Sequence, residues 1–292
     1  MPDGAIETGI AAADRVPVSV HAESELARSI SEDEVATYQR DGVVCLRNVF
    51  DPVWIERLRM ATEEVIAEPG PFGARYGTDG DRGTFFGDLY VWTFNETFRD
   101  FVLRSPAAQI AGALMAASKV NFFYDHLLVK EPGSSAPTPW HHDLTYWCVD
   151  GWDVLSVWLP MDSVSRESGA VEYVKGSHRW RNRYQAQDFL GRDLFRDEAL
   201  DAIPDVDANR DAYDIISFDV EPGDCIVHHA LTLHGAPGNN SSRRRRALAS
   251  RWTGDDAHYV ERKGMSKPIR DPGLAVGDPM DCDLFPVVWR RG

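Results

Sequence analysis

Up to about residue 117, apolar positions recur at helical spacing. Ser31-Glu32-Asp33-Glu34 has the form of a capping box, in which the serine hydroxyl and the glutamate carboxylate satisfy free amides at a helix start. The helix it predicts runs to Asp41 and stops at Gly42. Val43-Val44-Cys45-Leu46 follows as a short strand. Asp51-Pro52 begins a second helix, with Asp as the cap and Pro at the first helical position. Val53, Trp54, Leu58, Ala61, Val65 and Ile66 then recur at roughly helical intervals until Pro69-Gly70-Pro71 ends the run. Residues 72–95, rich in Gly and aromatics, are expected to form a loop near a pocket, and Ser105-Pro106 to start another helix reaching about Ala117.

From Val120 the pattern changes to strands. Segments 120–131, 153–160, 169–175, 215–220, 224–229 and 245–252 are separated by Gly, Pro, Asn and Asp clusters, as in an antiparallel sandwich or barrel. Residues 179–214 read as a polar, charged insertion with weak helical character. Residues 1–29 lack clear periodicity and are expected as a flexible N-terminal leader, and 30–292 as one domain with helices packed around a β core.

Composition narrows the partners. A net charge of −15 disfavours nucleic acid and anionic membrane surfaces, neither of which is attracted to a strongly acidic protein. The single basic run, Arg243 to Arg246, is too short to reverse that. Cys45, Cys148, Cys225 and Cys282 are scattered and form no CxxC pair, which excludes a zinc ribbon or thioredoxin motif and fits a reducing cytoplasm. The first thirty residues have neither the basic nor the apolar region of a signal peptide, and no run of eighteen apolar residues occurs. A cytoplasmic protein acting on a small molecule is the expectation.

The candidate chemistry lies in the β-rich part. In Trp140-His141-His142-Asp143, His141 and Asp143 are two residues apart, and on an extended chain they point to one side and can share a metal. His234, in Leu231-Thr232-Leu233-His234-Gly235, completes two histidines and a carboxylate on one face of an octahedral ion. That set leaves up to three positions open, two for a chelating 2-oxo acid and one for O₂, as in non-haem Fe(II) oxygenases. Arg245, eleven residues after His234, can hold the far carboxylate of such an acid by two parallel hydrogen bonds. His-x-Asp alone is common and usually means nothing. Its combination with a downstream His-Gly and an Arg at plus eleven gives it weight.

Lys130-Glu131-Pro132-Gly133 through Trp140-His141-His142-Asp143-Leu144 resembles the phytanoyl-CoA dioxygenase family. So do Gly169-Ala170-Val171-Glu172 with Gly176-Ser177-His178, Gly223-Asp224, His234 through Asn239, and Arg245-Arg246-Ala247-Leu248. The resemblance covers roughly 30–290 with the motifs in the family's order. It implies a mainly β protein with flanking α-helices and a double-stranded β-helix (jelly-roll, cupin-like) core. It implies Fe(II) held by His141, Asp143 and His234, and 2-oxoglutarate anchored by Arg245, with release of succinate and CO₂. Thr138 and Trp158 fall where the family has residues beside 2-oxoglutarate, although an apolar strand residue such as Trp158 is more often plain core. Two positions depart from the family: Lys175 replaces the Pro before Gly-Ser-His, and Ala236 stands where some members have a Ser near the cosubstrate.

The remaining histidines and arginines read more plainly. His142 should point away from the metal, His228 and His229 compete with His234 but lack its following Gly, and His126 and His178 are expected to be structural. Arg244 and Arg246 are expected to face solvent or to be structural, since neighbours on a strand face opposite sides. Arg251 shares a face with Arg245 and either meets an acidic substrate or forms a structural ion pair. Tyr146, Trp147, Phe85 and Phe86 are candidates for the substrate side or for core. Asp143 fills the place where related halogenases have a small residue, so hydroxylation or another two-electron oxidation is favoured over halogenation. Desaturation, cyclisation or epimerisation on the same iron, a non-catalytic jelly-roll binding protein and a cupin-like zinc hydrolase stay open as alternatives.

Overall fold

The structure is a computed structural model and describes residues 26–76, 83–187, 194 and 197–292. The leader expected over 1–29 therefore lies, up to residue 25, outside the described residues. Helix α1 (Glu32–Asp41) starts on the capping box: Ser31 Oγ accepts from the Glu34 amide at 3.2 Å, and the Glu34 carboxylate accepts from the Ser31 amide at 2.8 Å. Gly42 closes it with φ +72 and passes so close to His178 and Thr232 that a Cβ would meet the His178 ring at 2.3 Å. Strand β1 (Val43–Leu46) and helix α2 (Pro52–Ala67, capped by Asp51) follow as the sequence predicts.

The segment 72–95 is not a loop. It contains β2 (Ala74–Tyr76) and β3 (Phe85–Leu89), a pair added to the edge of a large sheet, with 77–82 outside the described residues. Gly and aromatics suggested irregular backbone, but Phe85 to Leu89 pair residue by residue with the long strand that follows. Helix α3 (Glu96–Arg104) was not anticipated; Asn95 caps it by accepting from the Thr97 and Phe98 amides. Helix α4 spans Ala107–Met115, slightly shorter than expected.

The β half follows the pattern closely. The strands are β4 (Lys119–Lys130), β5 (Thr138–His141), β6 (Val149–Asp150), β7 (Val154–Pro160), β8 (Glu172–Val174), β9 (Ile215–Ser217), β10 (Cys225–His229), β11 (His234–Ala236), β12 (Arg245–Thr253), β13 (His258–Tyr259) and β14 (Val287–Arg290). The large antiparallel sheet runs β1-β10-β7-β12-β4-β3-β2, with β14 also on β4, and the smaller runs β5-β11-β8-β9. Their packing is the double-stranded β-helix that the sequence implied. Within 179–214 the described residues hold no α-helix, only 3₁₀ turns. The backbone there pairs across the segment instead: Gln185 N donates to Asp201 O, and Asp201 N to Arg183 O.

Alternation on the large sheet separates two interiors. Leu155, Val157 and Leu159 of β7 and Leu248 and Trp252 of β12 join the core shared with the helices. Trp158, Ala247 and Ala249 face the smaller sheet. The two alanines keep that inner face shallow, which leaves room for a site between the sheets. Among the described residues no helix is long and apolar enough to cross a membrane.

Candidate metal centre

His141 and His234 stand directly opposite each other on β5 and β11, with ring centroids 4.2 Å apart. Each ring is fixed by the carbonyl two residues before it: His141 Nδ1 lies 2.7 Å from Pro139 O, and His234 Nδ1 2.9 Å from Thr232 O. A carbonyl only accepts, so each Nδ1 carries the proton and each Nε2 presents its lone pair. Asp143 does not sit on the strand. β5 ends at His141, and Asp143 adopts helical backbone at the start of a 3₁₀ turn, Leu144–Tyr146. The three side chains converge because the chain turns, rather than by strand alternation.

Asp143 Oδ1 lies 3.7 Å from His141 Nε2 and 3.9 Å from His234 Nε2. Neighbouring ligands on one ion at about 2.1 Å bond length stand about 3 Å apart, so these separations exceed a bound geometry by less than about 1 Å. Among the described residues this is the one group of three His, Cys, Asp or Glu ligands close enough to share an ion. The other carboxylate oxygen, Oδ2, accepts from Ser156 Oγ at 3.0 Å and lies 3.3 Å from His228 Nε2. The carboxylate thus has one oxygen for a metal and one for the protein. Burial alone would raise the Asp143 carboxyl, but the facing imidazoles of His141, His228 and His234 and the charge of Arg251 hold it well below the usual range. Burial pushes His234 well below the usual imidazole value, assisted by His141 and His228, so its lone pair is available at neutral pH.

Two cavities meet at this centre. The smaller, about 70 Å³, is lined by Trp158, Tyr173, His228, Ala236, Arg245 and others, and its walls include all three candidate ligands. Arg245 is buried, with Nη2 donating to Gly169 O at 3.2 Å and Nε without a partner. Its guanidinium lies over the Trp158 ring at 5.6 Å, and burial lowers it to about 10. Directly opposite on β4 is Lys130, also fully buried, with Nζ donating to Pro237 O at 2.8 Å. Burial and Arg245 push Lys130 well below the ordinary lysine value. The Tyr173 hydroxyl is buried in the same cavity and has no partner. A buried guanidinium that forms no ion pair among the described residues, with its Nε and the Tyr173 hydroxyl both unpartnered in one cavity, describes a receptacle for an anion; desolvating such a charge alone costs several kcal/mol. The donor set fits 2-oxoglutarate, whose far carboxylate needs such donors while its other end chelates a metal.

The larger cavity, about 210 Å³, opens on the other side of His141 and Asp143, between Tyr76, Tyr124, Tyr146, Trp147 and Arg251. Thr138 borders both cavities.

Tyr146 and Trp147 line the larger cavity, Trp147 within and Tyr146 against the helix-side core; Phe85 lines the smaller cavity, and Phe86 belongs to the helix-side core. His126, expected to be structural, instead forms a wall of both cavities. His142 points away: its Nε2 accepts from Tyr184 N at 2.9 Å, and burial lowers it to about 3. His178 and His229 pack tilted against each other and against Trp152 and are not part of the metal-ligand group. Arg246 pairs with Asp162, and Arg244 with Glu63 and Glu131. Ser156, Tyr173 and Lys130 were not singled out by sequence. Ser156 shares a face with Trp158, and Tyr173 with Val171, so strand alternation from the residues already in view would have reached them.

Residues 38–247 match the family model of phytanoyl-CoA dioxygenase (PhyH). The chain is 26% identical over 145 residues to the human peroxisomal phytanoyl-CoA dioxygenase, covering 48% of this chain and 41% of that protein. It is 29% identical over 147 residues to a probable alpha-ketoglutarate-dependent hypophosphite dioxygenase of Stutzerimonas stutzeri, covering 48% of this chain and 45% of that one. The chain thus spans less than half the length of these curated relatives. Among solved structures, the non-heme alpha ketoglutarate dependent carbocyclase SnoK from nogalamycin biosynthesis superposes with a TM-score of 0.71 at 26% identity, covering 91% of this chain and 99% of that one.

Proposed function

The chain belongs to the phytanoyl-CoA dioxygenase family, and on that premise we propose that it is an Fe(II)- and 2-oxoglutarate-dependent dioxygenase that hydroxylates a small organic molecule. One observation carries this reading. The His141, Asp143 and His234 cluster opens into two cavities at once, and the smaller is lined by the buried guanidinium of Arg245.

When bound, iron with 2-oxoglutarate supplies O₂ activation for C–H oxidation, coupled to loss of CO₂ and formation of succinate. His141, Asp143 and His234 would hold the ion. Ser156 and His228 occupy Asp143 Oδ2 and keep the carboxylate from rotating. Arg245 and Tyr173 receive the far carboxylate of the cosubstrate, Trp158 packs against the Arg245 guanidinium, and Thr138 closes the mouth between the cavities. Tyr146 and Trp147 exclude water on the substrate side, and the Tyr146 hydroxyl is held by both backbone groups of Gln187 at 2.7 and 2.8 Å.

The substrate is a small molecule of specialised metabolism rather than an acyl-CoA. Within the one basic run of the sequence, Arg244 and Arg246 are engaged with carboxylates and so are not free for a nucleotide phosphate. Similarity to SnoK supports a second outcome of the same C–H abstraction, ring closure in place of hydroxyl transfer. Four free thiols, with Cys45 pushed up to about 11 and Cys148 to about 12 by burial, support a reducing, cytoplasmic setting.

The test is production of succinate from 2-oxoglutarate under O₂. Fe(II)-loaded wild type should form it slowly without substrate, and Asp143→Ala should not. Zinc loading should silence the protein, because zinc has no redox chemistry. Absence of any iron-dependent succinate, or hydrolytic activity retained with zinc, would overturn the proposal. In either case a zinc hydrolase or binding protein would account for the triad better.

A further inference from the structure

Arg251 stands on the same face of β12 as Arg245, but it faces the larger cavity as well as the smaller. It is 6% exposed, yet it forms no ion pair among the described residues. Nη1 donates to the carbonyl of Ala249 at 2.9 Å, and Nε has no partner. Its flat guanidinium lies over Tyr124 at 4.6 Å and within 5.7 Å of the Trp147 ring. Two aromatic faces thus hold the cation in place while its Nε stays unspent. The structural ion pair weighed from the sequence is absent.

A buried guanidinium that forms no ion pair is costly, and ring contacts and the more distant carboxyls of Asp125 and Asp143 offset only part of that. Here the guanidinium looks into a cavity whose other walls, Tyr76, Leu89, Tyr146 and Trp147, are mostly apolar and aromatic. The protein as a whole carries −15, so its long-range field repels anions and only a local cation can favour one.

We propose that the substrate of the oxygenase site is a flat, largely apolar molecule bearing an anionic oxygen, a carboxylate or an acidic phenolate or enolate, and that Arg251 is its anchor. This rests on the proposed function, because it takes the larger cavity to be the substrate side. The charged end sits on Arg251, and the unsaturated body lies between the aromatic walls. The carbon to be oxidised is then presented to the side of the centre that Thr138 borders. Selection works by leaving the guanidinium unpaired when a neutral analogue enters, which penalises that analogue.

The experiment uses the Fe(II)- and 2-oxoglutarate-loaded protein without O₂, with 2-naphthoate and its neutral counterpart 2-naphthamide as probes in calorimetric titrations. Wild type should bind 2-naphthoate at least about tenfold more tightly than 2-naphthamide, the scale of one charge-assisted hydrogen bond. Arg251→Gln should erase that preference, and Arg251→Lys should retain part of it. The 2-oxoglutarate titration midpoint of Arg251→Gln should stay within about twofold of wild type, the level of no lost hydrogen bond. Equal binding of the two probes, no binding of either, or a preference unchanged in Arg251→Gln would overturn the proposal. A tenfold rise in the 2-oxoglutarate midpoint would also overturn it by assigning Arg251 to the cosubstrate. If 2-oxoglutarate fails to bind wild type at all, it is the oxygenase reading that fails, which the same titration reports separately.

Discussion

His228 Nε2 lies 3.3 Å from Oδ2 of Asp143, the carboxylate oxygen that faces away from His141 and His234. A carboxylate only accepts, so His228 donates through Nε2, and its Nδ1 is left buried without a partner. His228 therefore acts through Asp143 and not as a ligand. His228→Ala should weaken Fe(II) binding about 10–100-fold, the usual cost of losing such an outer contact, while leaving the 2-oxoglutarate midpoint at saturating iron nearly unchanged. Competition with a calibrated chelator measures the first quantity. Iron affinity equal to wild type would show that Ser156 alone orients the carboxylate.

Tyr173 offers an opposite-signed pair of effects. Its hydroxyl is fully buried and unpartnered in the cavity that holds Arg245. Tyr173→Phe removes an unsatisfied group from the free protein and should stabilise it by roughly 1 kcal/mol. It also removes a donor to the cosubstrate and should raise the 2-oxoglutarate midpoint by about 3–10-fold. Thermal melting of metal-free protein and titration of the loaded protein read the two. A variant less stable than wild type with an unchanged midpoint would mean that the hydroxyl serves packing alone.

Asp125 should shape stability against pH. Burial raises its carboxyl to about 7, with the Trp92 amide, 3.0 Å away, and the charge of Arg251 working against the rise. The unfolded carboxyl titrates near about 3.9. Between those values the folded state holds the proton that the unfolded state has lost. The stability is therefore fully present below about pH 4 and is lost as pH rises through about 7. Asp125→Asn carries no such proton, so its melting temperature should gain on wild type steadily across that window. Parallel curves for the two proteins would contradict the assignment.

Much of this was legible in the sequence, for physical reasons that differ by element. α1 and α2 were readable because their caps are local: Ser31 with Glu34, and Asp51 with Pro52, act within one turn. The long strands β7 and β12 were readable because each alternates between the helix-side core and the inner face, and β4 because it is a long run rich in Val, Phe, Tyr and Leu. β5 and β11 escaped notice since they are short and carry His141 and His234 where a strand pattern would show apolar residues. The triad itself was visible, but the turn that brings Asp143 to the histidines was not, because it depends on Leu144 N donating to Ala230 O, far along the chain. Lys130 lay within a recognised motif, yet its burial opposite Arg245 is a matter of register between β4 and β12, which only the fold fixes.

The central claim is that Arg245 and the His141, Asp143 and His234 cluster serve one bound 2-oxoglutarate. The most direct measurement is an anaerobic titration of Fe(II)-loaded protein with 2-oxoglutarate, following the visible charge-transfer band of the chelate in wild type and Arg245→Ala. The account predicts a saturating band in wild type and a midpoint at least about tenfold higher in the variant, the loss of a charge-assisted contact. A band with the same midpoint in both would remove Arg245 from the site, and no band in folded, iron-loaded wild type would contradict the account as a whole.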